Sequence, residues 1–74
     1  RMNIPKQVIL PNDVKNELLV KQNKACNTNY KIKDIERILE YNCTVRNITC
    51  FEIIFNDYVN QRFIKDSFEI DNFL

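Results

Sequence analysis

The chain has 74 residues, 45% of them apolar and 28% charged, and a formal net charge of +1. That length holds one domain and one core, the composition excludes a disordered chain, and the charge excludes the strongly basic profile of a dedicated DNA-binding domain. There is no glycine and no histidine, which removes glycine-rich phosphate loops, histidine-activated nucleophiles and ordinary zinc sites. No enzyme activity, cofactor or metal is therefore expected.

The charge is unevenly spread. Residues 1 to 37 carry eight basic and four acidic side chains, and residues 38 to 74 carry three and six. Eleven Asn, ten Ile and seven Lys suggest an AT-rich genome. No apolar run approaches the ~18 residues of a membrane span, and no basic-then-apolar leader opens the sequence. An intracellular location, cytoplasm or nucleus, is expected in preference to secretion.

Residues 1 to 11 read as an extended arm, because Pro5 and Pro11 fix φ and bias their predecessors toward extended backbone. Its centre, Val8-Ile9-Leu10, lies across the body or adds a strand to a partner's sheet edge. A helix is predicted from Asn12, as cap, toward Lys24. Leu10, Val14 and Leu18 form one stripe with Leu19 beside it, and Asp13 suits the positive helix end. Ala25 to Asn29 reads as a loop.

A second helix is predicted from Tyr30 or Lys31 to Tyr41, since Ile32, Ile35, Ile38 and Leu39 repeat at helical spacing among charged residues. A third starts at Thr49, where Thr49 and Glu52 fit a capping box and Ile48 and Ile53 a hydrophobic staple. Its stripe is Phe51, Phe55, Val59 and Phe63, ending near Lys65. A second box, Asp66 to Glu69, opens a short terminal helix over residues 66 to 74 that must dock on something to persist. The expected fold is thus all-α: a three-helix body over residues 12 to 65, an extended arm and a short C-terminal helix.

The competing reading is α+β with a C-terminal hairpin. Thr44 to Phe55 is rich in Thr, Val, Ile and Phe, and Arg62 to Ile70 supplies a partner strand. Against it stand the consecutive Ile53, Ile54 and Phe55 and the lack of any glycine for a tight turn.

Three cysteines without histidine do not match zinc-finger spacing. A bridge between Cys43 and Cys50 would clip the second helix to the third and leave Cys26 unpaired, and it defines a secreted, disulfide-containing alternative. At a helix start the Cys50 thiolate would be favoured by the dipole. Two sequons, at Asn42 and Asn47, are near chance in so Asn-rich a chain.

The basic set Lys15, Lys21, Lys24, Lys31, Lys33 and Arg37 makes the case for nucleic acid, through salt-sensitive phosphate contacts, although Asp13, Glu17, Asp34 and Glu36 interrupt it. The apolar chain ends make the case for protein partners. Val8, Ile9 and Leu10 in the arm and Ile70, Phe73 and Leu74 in the tail are the expected contacts. The function expected from sequence is a non-enzymatic interaction module that binds another protein or a second copy of itself, with nucleic-acid binding as the alternative.

Overall fold

The computed structural model describes residues 4–72. In chain order it contains β1 (Lys6–Val8), α1 (Asn12–Cys26), a single 3-10 turn (Ile32–Asp34), β2 (Ile35–Cys43), β3 (Ile48–Phe55) and β4 (Asn60–Ile64). The strands form one antiparallel sheet in the order β1-β2-β3-β4, with α1 on one face. This is an α+β fold, and the all-α three-helix bundle expected from the sequence is not formed.

The helix that does form is the first one. Asn12 is its first residue rather than its cap, a place taken by Pro11, whose missing N–H costs nothing there. Asp13 stands in the first turn and Lys24 in the last, each matched to the helix dipole. Leu18 and Leu19 are buried and Val14 packs beside them. The helix ends on Asn27 in the left-handed conformation at φ 53°, with the Thr28 amide bonded back to the Asn23 carbonyl.

The expected second helix is the 3-10 turn followed by β2. Ile35 pairs with Phe55 and Ile38 with Ile53, but a bulge between Ile35 and Arg37 inserts one residue. A bulge resets the two-residue alternation of a strand. Ile35 and Ile38 therefore both reach the core at a spacing of three, which imitates a helical step. Leu39 falls on the opposite face.

The expected third helix is the β3–β4 hairpin. Phe51, Ile53 and Phe55 are buried at 4%, 0% and 0% exposure, a strict alternation on the helix-facing side. Ile54 between them points to the other face, so the consecutive apolar residues that argued against a strand belong to two faces. Thr49 and Glu52 cap nothing: they accept hydrogen bonds from the amides of Asn42 and Asn60 on neighbouring strands.

Turns without glycine are made by residues that accept positive φ. Asn47 stands at 54° in the β2–β3 turn, Tyr58 at 70° in the β3–β4 turn and Phe68 at 58° after β4. Asn tolerates this region cheaply, whereas the aromatic residues hold it against a steric cost.

Residues 66 to 72 form a turn and an extended stretch instead of the expected terminal helix. The Ile64 amide donates to Glu69 and the Asp71 amide to Arg62, around an isolated bridge between Phe63 and Ile70. The tail thus covers part of the β4 edge, which removes an open ladder.

The core lies between α1 and the sheet: Leu18, Leu19, Ile38, Phe51, Ile53, Phe55 and Phe63, ringed by Val8, Leu10, Val14, Tyr30, Ile32, Ile35, Phe68 and Ile70. Each fully buried large side chain contributes about 1.5–3 kcal/mol. Gln22 is a polar exception at 2% exposure, and its Oε1 has no hydrogen-bond partner among the described residues.

Candidate functional site

The segment from Asn27 to Asp34 leaves α1 through a left-handed residue, ends in the 3-10 turn, and is held against α1 by side-chain hydrogen bonds. The Asn23 side chain donates to the Tyr30 carbonyl and accepts from the Tyr30 amide and the Thr28 hydroxyl. The Tyr30 ring stacks on Phe55 at 3.8 Å between centroids, and its hydroxyl donates to Asp57 at 2.7 Å. That hydrogen bond, ahead of burial, pushes the Tyr30 phenol up to about 12. One turn further on, Asp34 accepts the Lys31 amide and donates its own amide to the Lys31 carbonyl.

Between α1 and this segment runs an open groove of about 520 Å³. Its floor is Leu19, Tyr30 and Ile32, of which Leu19 is buried and the other two half-buried. Val20, 65% exposed, and the exposed Asn16, Lys31 and Lys33 form its rim. No acidic side chain lines it. The turn beyond Asp57 carries Tyr58 at 87% and Val59 at 43% exposure, and hydrogen bonds from Asn56 to the carbonyls of Lys33 and Asp34 tie it to the same end of the molecule.

The opposite face of the sheet is built differently. Tyr41 pairs with Cys50 and Leu39 with Glu52, and paired antiparallel residues share a face. Arg46, from the β2–β3 turn, grips the Asp71 carboxylate through both of its oxygens at 2.9 Å each, while Arg62 lies 3.8 Å away. The Asp71 side chain is only 2% exposed. Its hydrogen bond to Arg46 raises the guanidinium pKa further. Burial, followed by the Asp71 charge, raises the Cys50 thiol, and burial pushes Tyr41 up to about 12. The cluster closes the turn and tail over one end of this face.

The residues singled out from sequence separate into distinct places. Val8 and Leu10 pack on the core, leaving only Ile9 exposed, at 90%. Ile70 is half-buried against Phe63, and Phe73 and Leu74 lie outside the described residues. The arm therefore adds a strand to its own sheet. Of the basic set, Lys31 and Lys33 border the groove, Lys15 and Arg37 border a smaller cavity of about 130 Å³ across Ile32, Lys21 reaches the Ser67 carbonyl at 3.4 Å, and Lys24 is exposed.

All three cysteines are free thiols, with Cys26 exposed and Cys50 buried. Cys43 and Cys50 lie on adjacent strands of one hairpin, opposite Ile48 and Tyr41 respectively. Such diagonal neighbours stand about 7–8 Å apart between Cα atoms, beyond the span of an unstrained bridge. Asn42 is engaged with Thr49, whereas Asn47 is exposed in the turn. Among the described residues no group of three or more His, Cys, Asp or Glu side chains could hold a metal ion. No helix among them is long and apolar enough to cross a membrane.

The groove was not legible from the sequence, because it depends on how residues 27 to 34 return along α1. Its one signal is Val20, an apolar residue off the Leu10–Val14–Leu18 stripe. The Arg46–Asp71 pair gives no local signal at all, since its members are 25 residues apart. Comparison with protein-family models, with curated proteins and with solved structures finds no match to this chain.

Proposed function

We propose that this domain is a non-enzymatic protein-interaction module and that its docking site is the groove between α1 and residues 30 to 33. The observation that carries the reading is Val20, an aliphatic side chain 65% exposed at the lip of an apolar-floored groove of about 520 Å³. The groove is also pre-organised by the Asn23 and Tyr30 contacts, so little ordering entropy is lost on binding. An intracellular setting, where three thiols stay reduced, belongs to the same reading.

The test is capture of partners from the native source by tagged wild-type domain and by Val20→Gln. Gln is a good helix former and Val20 is 65% exposed, so the variant retains its circular dichroism and melting temperature. Proteins retained by the wild type and lost by Val20→Gln support the reading. An identical set of captured proteins overturns it.

A further inference from the structure

We infer that the groove takes a short acidic segment of a partner protein carrying one apolar side chain, a proposal that rests on the groove being the docking site. The charge of the rim is the first reason. Lys31 and Lys33 are exposed and lie on one rim, and among the described residues neither ammonium has a carboxylate within salt-bridge distance. Asp34, the residue after Lys33, accepts the Lys31 backbone amide and thereby holds the turn that carries both lysines. Two cations so placed favour a negative partner and disfavour a positive one.

The floor gives the second half of the chemistry. Leu19, Ile32 and the edge of Tyr30 offer hydrocarbon where an apolar side chain loses its water. Asn16 stands on the α1 side of the rim opposite the two lysines, with an amide suited to a peptide backbone. An apolar anchor flanked by carboxylates matches floor and rim together.

A nucleic-acid strand would use the same cations, but the rest of the groove does not suit it. Base stacking needs an open aromatic face, and Phe55 covers one of the two faces of the half-buried Tyr30 at 3.8 Å. The Tyr30 hydroxyl is engaged by Asp57.

The experiment is fluorescence polarisation with fluorescein-labelled five-residue peptides. One set has acidic residues flanking a central leucine or phenylalanine, a second has lysines in place of the acids, and a third has a central serine. A labelled oligothymidine is the nucleic-acid arm. The acidic peptides with an apolar centre are expected to bind, more weakly at high salt, and the lysine and serine sets to bind at least fivefold more weakly. The double variant Lys31→Gln/Lys33→Gln is expected to weaken the acidic peptides by about fivefold, in line with two exposed ion pairs, and Val20→Gln to weaken them at every salt concentration.

Equal binding of acidic and lysine peptides, or an unchanged affinity in the lysine double variant, overturns the acidic class while a loss in Val20→Gln keeps the groove. Tight acidic binding that neither variant touches places the site elsewhere and overturns both readings. No acidic peptide bound at about 1 mM overturns the proposal, and tighter, more salt-sensitive binding of the oligothymidine replaces it with nucleic acid.

Discussion

The two faces of the sheet are held by different means. On the side of α1, Ile38, Ile53, Phe55 and Phe63 meet Leu18 and Leu19 with almost no exposure and no charge. On the other side the closing contact is a buried carboxylate held by an arginine whose side chain stays 25% exposed. The first face draws on the hydrophobic effect, which needs only shape and area. The second draws on charge and geometry, and its net contribution is smaller, because desolvating Asp71 offsets much of the attraction. A small domain of this kind therefore keeps its stability on one face and fixes its turn and tail on the other.

The largest expected effect is on the first face. Phe63→Ala removes a fully buried ring and is expected to cost about 3–5 kcal/mol, close to the whole stability of a domain this small. Chemical denaturation should find it unfolded or nearly so. Asp71→Ala, on the second face, is expected to cost about 1–3 kcal/mol, because Arg46 and Arg62 are partly exposed and can be rehydrated. A smaller shift of the denaturation midpoint than in Phe63→Ala supports the contrast. Equal losses would abolish it.

Alkali probes both faces at once, through Tyr30 and Tyr41, whose phenols are pushed up to about 12 from 10.0. The neutral rings are favoured by the fold, so their contribution is fully present below pH 10 and is lost as pH rises through 12. Stability measured by denaturant should hold up to about pH 10 and then fall. Tyrosinate absorbance should show Tyr30 and Tyr41 titrating well above pH 10, and a single transition near pH 10 would contradict the assignment. The smallest effect is expected at Gln22. Gln22→Met keeps the volume and removes an acceptor buried without a partner, so it should be neutral or stabilising by up to about 1 kcal/mol. A clear loss in the thermal midpoint would show that its Oε1 is satisfied in solution.

The contrast between faces also explains what the sequence could and could not convey. The helix was legible from the Leu10–Val14–Leu18 stripe because a 15-residue amphipathic segment is a local pattern. Residues 35 to 43 were misread because the bulge between Ile35 and Arg37 replaces a spacing of two with a spacing of three. Residues 48 to 55 were misread because both faces of β3 carry apolar residues: Phe51, Ile53 and Phe55 toward the helix, Cys50 and Ile54 away from it. The absence of glycine misled as well. Asn47 and Tyr58 adopt the positive φ that glycine usually supplies, with the Tyr58 turn held by hydrogen bonds from Phe55, Val59 and Asn56. The residues of the groove come from α1 and from residues 30 to 33, and how the chain turns back between them is set by Asn27 at positive φ and by the Asn23 clamp on Tyr30.

We propose partner binding at the groove on the edge of the helix-bearing side and a structural role for the helix-free face. The measurement that tests this most directly is a backbone amide NMR titration of the isotopically labelled domain with the acidic, leucine-centred peptide. Shifts confined to Asn16, Leu19, Val20 and residues 30 to 33 are the predicted result. Shifts centred on Leu39, Ile54 and Ile64, with the groove unchanged, would contradict it and assign docking to the opposite face.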